Sequence, residues 1–498
     1  MEVRFVRFGV LVAAYGIVGH LREQLKMALE YYRLVSEIVM GKPITKAIPA
    51  RMWSERPDGS MLFYAGYLSK VCGILQANGI TTWGYERLDR KEKLVPDLTH
   101  VQLEKMRPEQ LRMLEAIVGW DSGQVIAPTG VGKSVFCGEL CALYPQARIV
   151  LAAPTIDTVA TLMRYLSERL GEPVGQVGGG KKRSQRVTVS TYDSIQAVSG
   201  IDKCDILVVD EAHRAGAEDH AKRFAAVHFP EKRFGLTATA GDMRSDKAGW
   251  LVEGLFGPVI LEISYQEAIA SGSVVPLELV VHENQRGPSQ ATAQACRTQA
   301  DKDRLAVWTN HERNRLIAED VEKMRKLLGE PQTLVLVDRL EHLLALKQFL
   351  PDYEVAYGKL QKKQIARLNR RHGHALTSED DISIKERDVI RKRFETGEAR
   401  KVLATSVFAT GVSSNSCGLV AFASGSGAPI AFIQSLGRGS RTDASTGKEY
   451  AVCLMWEDTF NYTYKARSRK LIAAAAKAEH HITRIPASVG VETWTPPN

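Results

Sequence analysis

The amino-acid sequence predicts an α/β protein in which a small α+β domain precedes two tandem parallel-sheet domains. Three observations lead to this prediction. Short apolar runs rich in β-branched residues alternate with amphipathic segments from about residue 106 onward. The alternation occurs twice, with a polar stretch at 284–299 between the two series, and residues 1–100 lack it. Such alternation is typical of parallel sheets covered by crossover helices.

Each α/β series contains a set of candidate buried strands. In the first series they are 125–126, 148–152, 187–190, 206–209 and 234–236, and in the second 333–337, 401–405, 419–423 and 450–454. Helices fit between most of these runs. The expected domains are therefore 1–100, 101–275 and 276–480, followed by a tail at 481–498.

The first hundred residues show local patterns of a different kind. Residues 21–35 have helical periodicity, residues 61–64 suit a strand that follows a turn, and residues 66–78 suit a second helix. We expect an accessory domain that is a candidate for DNA binding. The side chains suited to stacking and phosphate contact are Arg51, Trp53, Arg56 and Tyr64. Core packing is the alternative role for the tryptophan.

Composition excludes several classes of protein. The 498 residues are 44% hydrophobic and 25% charged, which excludes a disordered or collagenous chain. The seven cysteines are scattered and include no C-x-x-C pair, so we expect reduced thiols and no metal site built from them. The apolar run at 8–19 is too short to span a bilayer, so we expect no membrane partner. The net charge of +9 is compatible with a polyanionic partner.

The strongest local pattern is a glycine-rich loop between an apolar strand and a helix. It consists of Ala127, Pro128, Thr129, Gly130, Val131, Gly132, Lys133 and Ser134. Backbone N–H groups in such a loop surround phosphate oxygens, and the helix N-terminus adds a favourable dipole. Lys133 would neutralise phosphate charge and Ser134 would ligate Mg²⁺. The loop therefore predicts ATP and Mg²⁺ as cofactors, although Ala127 stands where the general pattern has its first glycine.

Two adjacent carboxylates follow the apolar run at 206–209. They are Asp210 and Glu211. In α/β sheets, ligands bind at the carboxyl ends of the strands, where these two side chains are expected. Asp210 can hold Mg²⁺ through water, and Glu211 can polarise the attacking water as a general base.

The run Asp210, Glu211, Ala212 and His213 resembles the DEAH form of motif II in superfamily 2 helicases. Other motifs of that superfamily occur in the expected order in the first domain: an adenine-reading element with Arg107 and Gln110, motif Ia with Pro154 and Thr155, a strand-contacting motif with Thr191, and motif III with Thr237 and Thr239. The resemblance implies RecA-like domains. It also implies nucleic-acid contacts at motif Ia and Thr191, and coupling of hydrolysis to strand grip by His213 and motif III.

The second domain contains the remaining motifs. Residues 335–338 resemble motif IV, Thr405 and Gly411 lie in a run that resembles motif V, and Gln434, Arg438 and Arg441 fit the motif VI pattern Q-x-x-G-R-x-x-R. The resemblance implies that Thr405 contacts nucleic acid, that Gly411 contacts nucleotide, and that the motif VI residues act in catalysis. Ser413 departs from the family, because many relatives carry an acid there.

The two arginines of motif VI link the domains chemically. Arg438 and Arg441 would approach the γ-phosphate from the second domain and stabilise the charge on the transferring phosphoryl group. ATP would then favour domain closure and hydrolysis would release it. Such a cycle moves the domains relative to a bound strand, which a translocase requires.

Within the superfamily, the chain is similar to the phage recombination and branch-migration helicases typified by UvsW, with kinship to XPB-type and RecG-type DNA motors. The stretches that carry this resemblance are 65–68, 255–258, 264–269 and 311–318. It implies a monomeric, cytoplasmic enzyme (host cytoplasm if phage-encoded). It also implies single-stranded, forked or junction DNA as partner, in replication, recombination or repair.

Three other functions stay open. The first is an RNA helicase, which these motifs do not exclude. The 2′-hydroxyl group is the feature by which the protein would distinguish RNA from DNA. A restriction-type DNA translocase is the second, although no nuclease-like constellation occurs in the C-terminal segment. The third is a non-enzymatic ATP switch, against which the presence of Lys133, Glu211 and Arg441 counts.

Two basic segments are candidates for further nucleic-acid contacts. The glycines at 178–180 precede Lys181, Lys182, Arg183 and Arg186, which form either a binding loop or a solvated turn. An insertion at 361–384 carries Lys362, Lys363, Arg367, Arg370 and Arg371. We expect the insertion to contact duplex or junction DNA, with a solvated surface excursion as the alternative.

Changing these five insertion residues to glutamate should weaken DNA affinity and flatten its salt dependence. The reason is that each phosphate contact that is lost reduces the number of counterions released when DNA binds. DNA-binding titrations at several salt concentrations measure both quantities. Unchanged affinity together with an unchanged salt slope would contradict a role of the insertion in binding.

Overall fold

Three sheets and one two-stranded ribbon organise the described part of the chain. The computed structural model describes residues 2–39, 42–88, 94–227, 230–238, 247–288, 296, 298–357, 384–405, 416–442 and 447–495. The chain divides into two units, Met1–Ile263 and Ser264–Asn498. The predicted basic insertion lies outside the described residues except for its last position, Ile384, where a helix begins.

The first unit contains the small N-terminal domain and the first α/β domain. Its strands are β1 (Arg4–Phe8), β2 (Leu11–Tyr15), β3 (Glu30–Val39), β4 (Lys42–Arg51), β5 (Trp53–Glu55), β6 (Met61–Tyr64), β7 (Gly84–Arg87), β8 (Ser122–Ile126), β9 (Ile149–Ala153), β10 (Gly175–Gly178), β11 (Lys181–Arg183), β12 (Val187–Thr191), β13 (Ile206–Asp210), β14 (Lys232–Thr237) and β15 (Val259–Glu262). Its helices are α1 (Gly19–Ala28), α2 (Leu68–Ala77), α3 (Pro108–Gly119), α4 (Lys133–Leu143), α5 (Ile156–Leu170), α6 (Glu218–Ala225) and α7 (Lys247–Phe256).

The N-terminal domain is a five-stranded sheet in the order β5-β6-β2-β1-β7, beside the ribbon β3-β4. The expected helix at 21–35 is wrong beyond residue 28, because α1 ends there and β3 follows at once. Aromatic residues favour strands when they can pack on a neighbour. Tyr31 does so, since its ring stacks on Trp250 with 5.8 Å between the ring centroids.

The small sheet shares an apolar core with the first α/β domain. Phe5 and Phe63 belong to the same buried cluster as Leu255 of α7. The backbones approach so closely at Gly66 that a Cβ atom there would lie 2.0 Å from the carbonyl oxygen of Glu253. The N-terminal domain is therefore packed on the first α/β domain as part of one unit.

The large sheet of the first unit has the order β11-β10-β12-β9-β13-β14-β8-β15. Its pairs are parallel except for β10 with β11. Each strand predicted in the first series overlaps an observed strand, although the one predicted at 148–152 begins one residue later, at Ile149. The middle strands are buried along nearly their whole length, as expected of a sheet covered on both faces. Their carboxyl ends therefore form one edge, where the predicted motifs begin.

The second unit is another α/β domain. Its strands are β16 (Leu277–Asn284), β17 (Gln332–Val337), β18 (Glu354–Ala356), β19 (Lys401–Thr405), β20 (Cys417–Phe422), β21 (Ala451–Asp458) and β22 (His481–Ile485). Its helices are α8 (Tyr265–Ala270), α9 (Gln299–Asp303), α10 (His311–Leu327), α11 (Leu340–Lys347), α12 (Ile384–Glu395), α13 (Pro429–Gly439) and α14 (Tyr462–Lys477), with a π-helical turn at Arg304–Trp308.

The second sheet has the order β18-β19-β17-β20-β21-β16-β22, and its pairs are parallel. Residues 481–498 were expected to form a tail, but β22 adds the edge strand of the sheet. Val491 and Trp494 are also buried in the core of the second unit. The C-terminal segment is thus part of the domain as far as residue 495.

A buried ion pair anchors helix α10 in the second unit. Arg313 is fully buried, and its Nε and Nη2 groups donate to the Asp458 carboxylate at 3.0 and 3.1 Å. Asn284 donates to the same carboxylate at 2.7 Å, and Arg313 Nη1 donates to the carbonyl of Ala423 at 3.1 Å. The pair therefore connects α10 to the carboxyl ends of β16, β20 and β21.

Asp458→Ala should lower the free energy of unfolding of the second unit by about 3–5 kcal/mol, because it leaves the buried Arg313 charge without its carboxylate. Urea unfolding monitored by circular dichroism measures the change. The matched control is Glu312→Ala, which removes the exposed partner of Arg315 on the same helix and should cost about 0–1 kcal/mol. Equal stabilities of the two variants would contradict the anchoring role.

Candidate nucleotide site and strand-contacting residues

The glycine-rich loop connects β8 to α4, as predicted. Gly130 and Gly132 have φ angles of 106° and 88°, in the left-handed region that side chains disfavour. Helix α4 starts at Lys133, immediately after the second of these glycines. The loop therefore turns tightly enough to direct the N-terminus of α4 at the position predicted for the phosphates, which suits anion binding.

Lys133 folds over the loop that precedes it. Its Nζ donates to the carbonyl oxygens of Ala127 and Pro128 at 2.9 and 3.3 Å. The Ala127 N–H donates in turn to the carbonyl oxygen of Thr237 at 2.9 Å. The ammonium group and the start of the loop are thus held beside the end of β14.

Gln110 connects the adenine-reading element to the glycine-rich loop. Its Oε1 accepts from the backbone N–H of Arg107 at 3.0 Å, which closes a capping box at the start of α3. Its Nε2 donates to the carbonyl oxygen of Val131 at 2.9 Å. A Cβ atom at Gly132 would lie 2.2 Å from this Nε2, so the contact depends on the glycine. The side chain of Arg107 is exposed.

Asp210 and Glu211 lie at the carboxyl end of β13. The N–H of Glu211 donates to Asp210 Oδ1 at 3.0 Å. Burial raises the pKa of the Asp210 carboxyl, and the nearby charge of Lys133 opposes that rise. Glu211 has a φ of 55°, an uncommon conformation for a residue with a side chain.

Two of the predicted coupling residues contact each other. His213 is buried, and its Nδ1 lies 3.0 Å from Thr237 Oγ1 at the end of β14. The same Nδ1 lies 3.4 Å from Glu211 Oε2. The side chains of Glu211, His213 and Thr237 therefore connect the predicted motif II to motif III. The other predicted residue of motif III, Thr239, lies outside the described residues.

Tyr192 belongs to the run Ser190, Thr191 and Tyr192 that resembles the strand-contacting motif, but no role was predicted for its side chain. Its hydroxyl donates to the carbonyl of Asp210 and lies 3.1 Å from the carbonyl oxygen of Glu211. Burial raises the pKa of the Tyr192 phenol, and the negative charges of the Asp210 and Glu211 side chains add to that rise. The hydroxyl therefore remains a hydrogen-bond donor. Only its position after Thr191 could have drawn attention to it.

The residues predicted to contact nucleic acid in the first unit lie along one edge. Thr191 ends β12 and pairs in register with Ala153 of β9, which Pro154 follows. Thr155 caps α5, because its Oγ1 accepts from the N–H of Thr158 at 3.2 Å. The structure therefore brings these positions together beside β13, and their contact with nucleic acid stays a prediction.

The basic loop after β10 is only partly available for binding. Lys181, Lys182 and Arg183 are exposed on β11. Arg186 instead donates to the carboxylate of Glu172 at 3.0 Å and to the carbonyl oxygen of Tyr144 at 3.1 Å. Including Arg186 in the basic patch was therefore wrong, because its guanidinium is used in holding the domain together.

The motif VI residues lie on α13 and just beyond it. Gln434 and Arg438 are on the helix, and Arg441 follows its end. Lys448 Nζ donates to the carbonyl oxygens of Gly439 and Arg441 at 2.5 and 2.9 Å. The sequence pattern did not indicate this lysine, which fixes the backbone that carries Arg441.

The predicted motif V is only partly described. Thr405 ends β19 and is buried, and Gly411 lies outside the described residues. Within the described ranges, no cluster of three or more His, Cys, Asp or Glu side chains could hold a metal ion alone. Ser134 and Asp210 fit Mg²⁺ chemically, since this ion prefers oxygen ligands and keeps several waters beside substrate phosphates.

Two protein-family models match the chain, one in each unit. The model described as "Type III restriction enzyme, res subunit" matches residues 103–242, and the model described as "Helicase conserved C-terminal domain" matches residues 321–443. A curated relative, the DNA 3′-5′ translocase XPB2 of Sulfurisphaera tokodaii, is 25% identical over 347 residues. These cover 65% of this chain and 76% of the relative.

Solved structures are similar at the level of the fold. The structure of S. cerevisiae Dbp5 bound to RNA and ADP BeF3 has a TM-score of 0.50 at 15% identity, covering 78% of this chain and 91% of that chain. The crystal structure of T4 UvsW covers 98% of this chain and 99% of that chain at 14% identity, but its TM-score of 0.40 supports no assignment to that group. The predicted pair of RecA-like domains is confirmed.

The fold and the matched families together define an ATP-driven helicase enzyme. The two matched models support the superfamily 2 helicase class that the order of the motifs predicted. None of the helices in the described residues is long and apolar enough to cross a membrane.

Gly132→Ala should abolish tight nucleotide binding. The new side chain would occupy a left-handed conformation at a cost of about 1–2 kcal/mol, and its Cβ would displace Gln110 or the loop. Titration with a fluorescent ATP analogue measures the affinity. Gly171→Ala is the matched control, because Gly171 also has a positive φ but no atom within 4 Å of the added Cβ. Wild-type affinity in Gly132→Ala would contradict the proposed loop function.

Proposed function

We propose that this chain is an ATP-dependent DNA translocase or helicase that remodels duplex or branched DNA in replication, recombination or repair. The observation that carries the proposal is the similarity to a DNA 3′-5′ translocase along 65% of this chain and 76% of that relative. The arrangement of Lys133, Asp210 and Glu211 at the carboxyl edge of one sheet supports it.

The proposed roles in the first unit follow from the geometry of its edge. The N-terminus of α4 and Lys133 bind the phosphates, and Gln110 and Arg107 receive the adenine. Ser134 and Asp210 hold Mg²⁺, which when bound adds positive charge at the β- and γ-phosphates. Glu211 accepts a proton from the attacking water as general base.

The proposed roles in the second unit rest on sequence pattern. Arg438 and Arg441 stabilise the charge that develops on the transferring phosphoryl group, and Gln434 orients the reacting groups. Lys448 supports this assignment indirectly, since a backbone held by two carbonyl contacts presents Arg441 in a defined place.

The proposed strand contacts lie beside the hydrolysis site. Pro154, Thr155 and Thr191 would hold phosphates of one strand through hydroxyl and backbone donors, which position a strand without reading its bases. His213 and Thr237 would transmit the state of the nucleotide to that edge, because they connect β13 to β14. The small N-terminal domain is proposed as an accessory DNA-binding element.

An RNA helicase is the alternative function. The Dbp5 structure contains RNA, but its similarity to this chain at 15% identity concerns the fold alone. DNA is favoured because the alignment with the DNA translocase covers 65% of this chain and 76% of that relative. The direction of movement to test first is 3′ to 5′, which is the direction in the name of that relative.

We expect ATP hydrolysis by the purified protein to rise at least about tenfold with forked or four-way-junction DNA, and less with matched RNA, because strand binding completes the catalytic arrangement. Steady-state assays with no polymer, single-stranded DNA, branched DNA and RNA measure this. Glu211→Gln should remove the activity in every condition, since the amide cannot accept the proton.

Each alternative has a distinct outcome in this assay. Equal or greater stimulation by RNA would replace the DNA proposal with an RNA helicase. Nucleotide binding without turnover in any condition would indicate an ATP switch. Strand-displacement assays on DNA with a single-stranded 3′ or 5′ extension then give the direction of movement.

A further inference from the structure

The backbone conformation of Glu211 requires support from its surroundings. A left-handed conformation costs a residue with a side chain about 1–2 kcal/mol. Among the described residues, Glu330 and Glu479 also have positive φ angles, but each lies in the turn that ends a helix. Glu211 instead follows directly on β13, so the conformation aims the proposed general base rather than ending a helix.

The hydroxyl of Tyr192 provides part of that support. It contacts the carbonyl oxygens of Asp210 and Glu211, which belong to the two peptide groups on either side of the Glu211 Cα atom. The N–H of Arg214 also donates to the Glu211 carbonyl, at 2.8 Å, within the short helical turn that follows. Tyr192 therefore joins this turn to the end of β12, as His213 joins it to the end of β14.

The ring of Tyr192 is held firmly in place. It meets Phe224 edge to face with 4.9 Å between the centroids, and His220 in the same way at 5.1 Å. The residue is 1% exposed. A displacement of its backbone would therefore move the hydroxyl, since the ring has no room to compensate by rotating.

Tyr192 is also one peptide bond from Thr191, the residue proposed to hold a strand phosphate. Thr191 is half-buried at the end of β12, while Tyr192 turns inward at the start of a short helical segment. One end of this dipeptide therefore lies where the strand would bind, and the other contacts the carbonyls that shape the turn at Glu211.

We propose that Tyr192 is a positioning residue that couples strand binding at Thr191 to the placement of Glu211 for ATP hydrolysis. This inference rests on the proposed function, since it takes Glu211 as the general base and Thr191 as a strand contact. When a strand engages Thr191, the Tyr192 hydroxyl holds the turn in the conformation in which Glu211 faces the attacking water.

The test is Tyr192→Phe in the full-length chain, which keeps the ring and its aromatic contacts and removes only the hydroxyl. The matched control is Tyr353→Phe, which removes a buried hydroxyl that donates to Glu322 at 2.8 Å in the second unit. ATP hydrolysis is measured with and without single-stranded and forked DNA. Thermal unfolding and DNA affinity are measured in parallel.

We expect the DNA-stimulated kcat of Tyr192→Phe to fall about five- to tenfold, the rate equivalent of one hydrogen bond. The basal rate should fall less than the DNA-stimulated rate. The KM for ATP and the Kd for DNA should stay within about twofold of the unmodified protein, because the altered group contacts neither ligand. Tyr353→Phe should behave as the unmodified protein.

Wild-type stimulation of Tyr192→Phe would overturn the inference. So would an equal loss with and without DNA, because it would indicate an effect that does not depend on strand binding. Failure of the proposed function would give a different result. Either no polymer would stimulate ATP hydrolysis by the unmodified protein, or Glu211→Gln would keep its activity. The inference about Tyr192 would then also be wrong.

Discussion

The parallel pairing of β8, β14 and β13 is the constraint on which the proposed chemistry depends. In-register partners place Asp210 opposite Leu236 and Thr237 opposite Ile126, so three loops that are distant in sequence leave the sheet side by side. The glycine-rich loop, the two carboxylates and the predicted coupling threonine then share one edge without any direct sequence link. Ladder hydrogen bonds between buried strands cannot slip by one residue without exposing apolar side chains, so this alignment is strongly specified.

Around that edge, backbone contacts fix the functional groups more than side-chain pairs do. Lys133 donates to loop carbonyls, Gln110 to the carbonyl of Val131, and Tyr192 to those of the motif II turn. Within the second unit, taken by itself, Lys448 donates to the carbonyl of Arg441. A carbonyl held from the side cannot rotate freely, so the adjoining side chains point in defined directions. This arrangement suits a site in which a small movement at the end of one strand has to change the position of groups at the end of another.

Much of the fold followed from local patterns, and the exceptions share a physical cause. Nine strands of the two large sheets are short apolar runs that are buried along most of their length, so their approximate positions were predictable. The helix expected at 21–35 ended early because packing of Tyr31 on Trp250, far away in sequence, outweighed local helical periodicity. The segment 481–498 has no long apolar run, yet β22 is stabilised by its pairing with β16, a partner that no local pattern reveals.

The sequence by itself determined the class of chemistry, because phosphate-binding loops and strand-end carboxylates need particular residue types at particular spacings. It did not determine which side chains are free to act. Arg186 has the same charge as its exposed neighbours, but its guanidinium donates to Glu172 and Tyr144. Tyr192 and Lys448, for whose side chains no role was predicted, hold the turns beside predicted catalytic residues. Only the tertiary structure decided these roles, since each depends on a carboxylate or carbonyl that long-range folding brings within hydrogen-bonding distance.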